Sequence, residues 1–267
     1  MSNSNIWTGN STFILAAAGS AVGLGNIWKF PYMVGSNGGS AFVIIYLLCI
    51  LAIGLPVMAS EVLIGKYGRK SPINSLKALA KENAISENWK YLGILGALAG
   101  ILILSYYSVF AGMALSYIFN FFPNGLNNPS EYSARYFSEL SSSHWMLIFW
   151  HSSFLMITCW IVAMGVVKGI GRSVSILMPF LFLFIILISF YSSYIGDFNE
   201  TIFFLFKPDF SSITPEVVIS AMGQAFFSLS IGMGAIMAYG SYMPERQVIG
   251  KTVLTIIILD TLVALCA

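Results

Sequence analysis

The chain has 267 residues, of which 57% are hydrophobic and only 9% charged, with 13 basic against 11 acidic residues. Its mean hydropathy is +0.82, whereas soluble domains carry about 25% charged residues. Composition therefore predicts an integral membrane protein, and the small net charge gives no reason to expect a nucleic-acid partner. Three cysteines, all within apolar stretches, have the spacing of neither a disulfide framework nor a metal site.

Seven apolar segments follow one another, at approximately residues 6–36, 41–64, 91–122, 145–167, 175–195, 215–242 and from 252 onward. A span needs about 20 residues. The first six segments are long enough, whereas the seventh offers only 16 residues before the chain stops. We therefore expect the chain to be a portion of a larger protein.

Lysine and arginine residues indicate the orientation. The loops at 66–90, 168–172 and 245–251 carry ten of them, and the opposite loops at 123–143 and 196–214 carry two. Because cytoplasmic loops are enriched in basic residues, the N-terminus is predicted to be cytoplasmic, in the plasma or inner membrane. No basic signal-peptide region precedes the first segment.

The first segment is interrupted in its middle, within residues 19–31. Gly19, Gly23 and Gly25 free the backbone from helical geometry, and Asn26 and Lys29 follow where a lipid-facing helix would carry apolar residues. Broken helix at membrane depth is tolerated only against protein or a water-lined cavity, so this stretch predicts a binding site. Close helix packing by small residues is the alternative for Gly19 and Gly23.

The sixth segment is interrupted in a similar way at residues 228–234, which read Ser-Leu-Ser-Ile-Gly-Met-Gly. The first and sixth segments stand five segments apart, so with a cytoplasmic N-terminus they would run in opposite directions. Interrupted spans at matching places in two halves are typical of secondary transporters.

Several polar residues stand in apolar surroundings, which favours a functional role. The amide oxygen of Asn26 could coordinate Na⁺ or cap the following half-helix, whose N-terminus could bind a carboxylate. Asp260 could contribute to a cation site or lie near the end of a short helix. Lys29 could serve the site or extend to the outer surface, and Glu61 could cap the N–H groups of a broken helix.

The hydroxyls of Ser228 and Ser230 could ligate an ion or substrate, or bond back to their own helix. Tyr106 and Tyr107 lie in the middle of a segment, so at least one hydroxyl needs an internal partner. Nucleophile, phosphate-loop and metalloprotease signatures are absent from the sequence, so an enzyme is not expected.

Three motifs in this order resemble the neurotransmitter:sodium symporter family, the LeuT-fold transporters of amino acids and amines. Residues 23–32 (Gly-Leu-Gly-Asn-Ile-Trp-Lys-Phe-Pro-Tyr) with 37–42 resemble its first-helix signature, residues 224–230 its sixth and residues 260–264 its seventh. The resemblance covers nearly the whole chain and implies an all-α membrane protein. The implied fold is a LeuT-fold inverted-repeat bundle truncated after about seven helices, with helices 1 and 6 unwound.

The resemblance also implies site residues. Those for Na⁺, as one or two ions, would be Gly19, Ala21, Val22, Asn26, Ser228 and Asp260. Those for the substrate would be Ala21, Leu24, Gly25, Ile103, Tyr107, Phe227, Ser228, Ser230 and Met233. The gates would be formed by Lys29, Gln224, Phe227 and Trp7, with Glu61 as structural support.

The chain departs from the family pattern at three positions. Lys29 replaces an arginine, which removes a bidentate carboxylate clamp, and Ser4 stands where an inner-gate arginine is usual. Asp260 replaces an asparagine of some members, and its fixed negative charge would make chloride unnecessary. The eighth helix, which completes the second sodium site, and the tenth, which carries an outer-gate acid, are absent from this sequence.

Together these observations predict one incomplete transporter domain, with a first repeat at about 6–195 and the start of a second at about 213–267. Its function would be sodium-coupled symport of an amino acid, hydrophobic or aromatic in character, by alternating access. The lipid bilayer and the substrate are the expected partners, with a homodimer as an option. The alternatives are a membrane sensor that binds substrate without transporting it and an inactive transporter fragment; a channel would need a continuous polar stripe.

Overall fold

The structure is a computed structural model that describes residues 10–124 and 128–267, with the side chains of 13–121 and 128–267. Within these residues it is helical and contains no strand. Trp7 and Ser4, which the sequence analysis places at the inner gate, lie outside the described residues.

The described residues form thirteen α-helices, in order: α1 Asn10–Ala21, α2 Phe30–Ser36, α3 Ser40–Cys49, α4 Leu55–Gly68, α5 Pro72–Glu82, α6 Lys90–Asn124, α7 Pro129–Ser142, α8 His144–Ala163, α9 Arg172–Ile195, α10 Phe198–Phe206, α11 Pro215–Ser228, α12 Ala235–Gly240 and α13 Ile249–Cys266. Single π-helical turns at Gly25–Lys29, Ile50–Gly54 and Val166–Gly171 connect consecutive helices. The second π-turn joins α3 and α4 into one long apolar helix.

Five of the described helices are long and apolar enough to cross a membrane: Ser40–Gly68, Glu87–Phe121, His144–Ala163, Val166–Ile195 and Ile249–Cys266. The pair Phe13–Ala21 and Gly25–Ser36, bent by 44°, makes a sixth. The seventh predicted segment is longer than expected, because α13 begins at Ile249 and includes Lys251 in its first turn. The sixth predicted segment is shorter, because its break leaves 14 and 6 residues in α11 and α12.

The two predicted breaks both interrupt helical geometry. Helix α1 ends at Ala21, and the amides of Asn26 and Ile27 both bond to the carbonyl of Gly23 as the chain enters its π-turn. In the second break, Ser230, Gly232 and Gly234 have φ of 53°, 83° and 75°. Three left-handed residues within five positions cannot continue an α-helix, so α11 and α12 are separate helices.

The described residues cluster into two compact units, one made of the chain up to Ala97 with Gly171–Ala267, the other of Leu98–Ile170. The division into two inverted repeats therefore stays a prediction. In the first unit, α1 packs against α9 and α13. Their shared core contains Ala18, Val22, Met178, Ile185 and Val263.

The second unit is organised by aromatic side chains and one close backbone contact. The ring of Tyr136 packs edge-on against Tyr117 and stacks on Tyr132, at centroid distances of 5.0 and 5.7 Å. The hydroxyl of Tyr117 donates to the carbonyl of Ser133 at 3.0 Å, which ties α7 to α6. A Cβ on Gly112 would lie 2.7 Å from the backbone nitrogen of His151, so this glycine lets α6 and α8 approach closely.

In the first unit, helices α4 and α12 pack closely against each other. A Cβ on Gly65 would overlap the carbonyl oxygen of Met237, and one on Gly240 would lie 2.8 Å from the carbonyl oxygen of Val62. Glycines at both positions let the two backbones touch, as small residues do in membrane helix pairs. Helix α12, with only six residues, is thereby held against a long helix.

Glu61 of α4 accepts a hydrogen bond from the backbone of the second break. Its side chain is 4% exposed, and Oε1 accepts a hydrogen bond from the backbone N–H of Gly232 at 2.6 Å. That N–H lies in the turn between α11 and α12, where an intrahelical partner is missing, so the carboxylate replaces the lost helical acceptor. Structural support of the second break by Glu61 stays a prediction, and this hydrogen bond is the observation that favours it.

We expect Gly65→Ala to destabilise the protein by about 1–3 kcal/mol, because the added methyl group overlaps backbone that cannot rotate away. The measurement is thermal unfolding of the purified protein in an uncharged detergent. Gly100→Ala is the matched control, since a Cβ there meets no described atom within 4 Å. An equal loss of stability in both variants would contradict the close α4–α12 contact.

Glu61→Leu should weaken the second break by about 1–3 kcal/mol, because a buried N–H loses its acceptor. Hydrogen exchange at the amide of Gly232 should accelerate selectively. Glu61→Gln keeps an acceptor oxygen and should retain most of the protection. Unchanged exchange in the leucine variant would show that the carboxylate does not hold this turn.

Candidate functional site

The two helix breaks face a buried carboxylate, that of Asp260 on α13. Asn26 Nδ2 donates to Asp260 Oδ1 at 2.8 Å and to the Asp260 carbonyl at 3.0 Å. The Ser228 hydroxyl donates to Asp260 Oδ2 at 2.5 Å. Asn26 and Asp260 are fully buried and Ser228 is 1% exposed. Three segments far apart in sequence thus place polar side chains around one negative charge.

A second hydroxyl stands behind Ser228. Tyr46 of α3 is fully buried, and its hydroxyl donates to Ser228 Oγ at 3.4 Å. Its ring lies against Phe30 and stacks with Phe42, at centroid distances of 4.9 and 6.3 Å. Packing on the ring therefore fixes the position of the hydroxyl. Tyr46 is not among the residues predicted from the sequence, although it stands in an apolar segment just as Tyr106 and Tyr107 do.

One buried oxygen of this cluster has no hydrogen-bond partner in the described part of the chain, namely Oδ1 of Asn26. An unsatisfied buried amide oxygen is costly, and such groups call for an explanation such as an ion. Carboxylate, hydroxyl and amide oxygens are the donors that a hard cation prefers. The cluster can therefore accept a small cation without a thiolate or imidazole.

Two further hydrogen bonds join α11 and its break to the first break. The Ser230 hydroxyl donates to the carbonyl of Ser20 at 2.7 Å, and Gln224 Nε2 donates to the carbonyl of Gly25 at 2.9 Å. Two backbone carbonyls at the first break thus accept hydrogen bonds from side chains in the second half of the chain, and that of Gly25 also accepts one from the amide of Phe30. Ser20 is a residue that the sequence analysis missed, because its contribution is a main-chain oxygen.

The ring of Phe227 lies over the first break. A Cβ on Gly25 would lie 2.9 Å from the ring edge, so only glycine lets the ring approach this closely. Lys29 Nζ is 4.4 Å from the ring centroid, within cation–π distance. Phe227, Lys29 and Gln224, expected as gate residues, therefore surround the same short stretch of backbone.

The remaining predicted residues have different surroundings. Gly19 packs against α9, where a Cβ would meet Met178 Sδ at 3.1 Å, and Val22 belongs to the core shared with that helix. Gly96 lies close to the backbone of Met233 in the second break. Ala21 is buried, and Leu24 is half-buried. Ile103 and Tyr107 belong to the second compact unit.

For four side chains, the structure shows which of the contacts considered in the sequence analysis is made. The Asn26 amide contacts Asp260 rather than capping the half-helix. The hydroxyls of Ser228 and Ser230 bond to α13 and α1 rather than to their own helix. Asp260 lies well inside α13, which ends at Cys266.

Comparison with known proteins gives a consistent result. The model of the sodium:neurotransmitter symporter family matches residues 4–131 and 125–267. The uncharacterized sodium-dependent transporter YhdH of Bacillus subtilis is 37% identical over 98% of this chain and 57% of its own length. The sodium-dependent neutral amino acid transporter B(0)AT3 of Mus musculus is 29% identical over 98% of this chain and 46% of its own length. The chain therefore spans about half the length of these relatives.

A solved structure agrees with the architecture. The crystal structure of MhsT in complex with L-phenylalanine superimposes with a TM-score of 0.89 at 41% identity, covering 98% of this chain and 59% of that one. This match confirms the predicted fold class, a LeuT-type helical bundle cut short, with its first and sixth segments broken. From its sequence, its helices and its two broken segments, the chain belongs to the sodium:neurotransmitter symporter family.

Proposed function

We propose that the protein takes part in sodium-coupled symport of a hydrophobic or aromatic amino acid across the plasma or inner membrane. The observation that carries this proposal is the buried cluster of Asn26, Ser228 and Asp260, where both broken segments meet one carboxylate. An intramembrane carboxylate is expensive unless a cation or hydrogen-bond donors compensate it. The family match and the names of the relatives support sodium as that cation.

In the proposed first sodium site, the ion binds to the side chains of Asn26, Ser228 and Asp260 and to the carbonyl of Ala21. The unpartnered Oδ1 of Asn26 supports this assignment. The carbonyls of Gly19 and Val22 would supply part of a second sodium site. When a positive ion binds, the hydroxyl of Ser228 would have to rotate so that its hydrogen points away from the Asp260 carboxylate. The nearby hydroxyl oxygen of Tyr46 could then accept the hydrogen bond from Ser228.

The substrate is proposed to bind where the backbone leaves helical geometry. Its carboxylate would meet the amides of Leu24 and Gly25 and the hydroxyl of Tyr107. Its ammonium group would meet the carbonyls of Ala21 and Phe227 and the hydroxyl of Ser230. An apolar pocket for its side chain would come from Ile103, Tyr107, Phe227 and Met233. The relative MhsT, solved with L-phenylalanine, supports a large apolar side chain.

Coupling follows if ion and substrate each supply a ligand that the other needs. A substrate carboxylate completes the coordination of the ion, and the ion neutralises the charge that substrate brings into a water-poor site. Because this coupling is reciprocal, sodium should raise the affinity for substrate by the factor by which substrate raises that for sodium. Alternating exposure would then follow from rocking of one helix bundle against the rest, with the N-terminus in the cytoplasm.

A binding protein without transport activity is the second candidate. The buried cluster of Asn26, Ser228 and Asp260 supports it as well, because this cluster accounts for ion binding and not for translocation. In this case the same cluster would bind sodium and amino acid together but would not carry them across. The two candidates share the site and differ in the translocation step.

The test is equilibrium binding of radiolabelled L-phenylalanine to the purified protein in sodium chloride and in choline chloride. We expect sodium to raise the affinity at least about tenfold, and Asp260→Asn to abolish most of this increase. Asp209→Asn, at a fully exposed carboxylate bonded to Ser211 and Ser212, is the control. Sodium-independent binding in the unmodified protein would refute the proposed site.

Uptake into proteoliposomes under an inward sodium gradient then separates the candidates. Sodium-driven accumulation identifies a symporter, and binding without accumulation identifies the binding protein. The coding sequence should first be read beyond codon 267. Any further apolar segments in the same reading frame should be included in the protein that is reconstituted.

Chloride should be unnecessary, because the Asp260 carboxylate already supplies the negative charge beside the ion. Replacing chloride by gluconate should therefore leave sodium-dependent binding unchanged. In Asp260→Ser, binding should fall at least about tenfold in gluconate and recover partly in chloride, because the donors of Asn26 and Ser228 could then hold the anion. Equal binding of this variant in both salts would contradict the assignment.

A further inference from the structure

A basic groove runs along the exposed face of α5, outside the site described above. It has a volume of about 420 Å³ and is lined by Lys70, Asn74, Lys77, Ala78, Lys81 and Glu82. Asn74, Lys77 and Lys81 are spaced by three or four residues and form one stripe along α5, and Lys70 lies two residues before this helix begins. The opposite face of α5 is fixed against α4, with Leu76 and Ala80 buried.

Three of the six basic residues in the loop 66–90 line this groove. Residues 66–90 contain six basic and two acidic residues. Lys66 and Arg69 are already engaged, because Lys66 Nζ donates to the carbonyl of Gln247 at 2.8 Å and Arg69 Nη1 to that of Met243 at 2.6 Å. Lys70 and Lys81 form no ion pair within the described part of the chain. Their ammonium groups remain available to an external anion.

Lys77 has a partial counter-charge. Its Nζ lies 3.6 Å from Glu87 Oε2, with both side chains about half exposed. An exposed pair of this kind is worth little and exchanges readily. Glu87 therefore competes weakly with an incoming anion and does not neutralise the groove.

The aromatic residues around the groove indicate its level relative to the bilayer. Tyr67, in the last turn of α4, and Trp89 and Tyr91, at the start of the next long helix, are 69%, 54% and 55% exposed. Exposed tyrosine and tryptophan at the ends of apolar helices mark the level of the lipid headgroups. The lysine stripe lies in the connection between these two helix ends, and these aromatic residues are the reason to expect it at the depth of lipid phosphates.

We propose that this groove binds the phosphate of an anionic phospholipid. Three ammonium groups and one amide line the groove with N–H donors, against the single carboxylate of Glu82, and such donors suit the oxygens of a phosphodiester. Basic residues next to membrane helices attract anionic headgroups, and each contributes through its charge. A zwitterionic headgroup brings its own ammonium group into a basic groove and is disfavoured.

Lipid bound in this groove would be connected to the candidate site through Arg69. Arg69, immediately before Lys70, donates to the carbonyls of Ser241 and Met243, just beyond the end of α12. A lipid that orders the stretch around Lys70 would therefore also steady the end of the short helix that follows the second break.

The test titrates the purified protein, in uncharged detergent, with short-chain phosphatidylglycerol and follows the thermal unfolding temperature. We expect saturable stabilisation by phosphatidylglycerol and none by short-chain phosphatidylcholine. In the triple variant Lys70→Gln, Lys77→Gln, Lys81→Gln, the concentration for half-maximal stabilisation should rise about tenfold or more. Inorganic phosphate should not substitute, and equal stabilisation by phosphate would overturn the assignment to a lipid.

A charge-matched control separates a built groove from general attraction. The variant Lys168→Gln, Arg172→Gln, Lys251→Gln also removes three positive charges but leaves α5 intact, and its half-maximal concentration should change less than about twofold. Equal weakening in both triple variants would refute a specific site. Glu87→Gln should strengthen binding about twofold or more by freeing Lys77, a gain that misfolding cannot produce; an unchanged or weaker response would contradict the proposal.

Discussion

The structure depends on one carboxylate placed in an apolar surround. Asp260 is fully buried on α13, and a charge at that depth is costly unless donors or a cation surround it. Its compensation comes from two other segments, through the Asn26 amide and the Ser228 hydroxyl. Because each donor stands at a helix break, the burial of Asp260 requires both breaks to form and to meet.

Each break in turn needs partners from outside its own segment. A membrane offers no water to the N–H and C=O groups that an unwound turn releases. The Ser20 and Gly25 carbonyls accept hydrogen bonds from Ser230 and Gln224, and the Gly232 amide donates one to Glu61. Glu61 can reach that amide because Gly65, one helical turn further along α4, lets α12 pack against the helix. Close helix packing and the polar cluster are therefore parts of one arrangement.

Much of this could be predicted from sequence, because polar residues in apolar segments are rare and therefore informative. Asn26, Glu61 and Asp260 stand out on that criterion alone, and the glycines indicate where the helices break. Tyr46 and Ser20 could not be found in this way, since tyrosine and serine are ordinary in apolar helices and Ser20 acts through its backbone. The sequence pattern predicts the start of α13 too late because it assigns Lys251 to a loop, although its long side chain can reach the surface from a first helical turn.

The end of α11 explains how two serines so close in sequence take different partners. In a continuous helix, residues two positions apart point to nearly opposite sides, so Ser228 and Ser230 could not both face the first broken segment and its neighbours. Helix α11 ends at Ser228, and Ser230 has a left-handed φ of 53°. This change of direction lets Ser228 reach α13 while Ser230 reaches the end of α1. The unwound turn thus distributes two hydroxyls between a proposed ion site and a proposed substrate site, which a regular helix could not do.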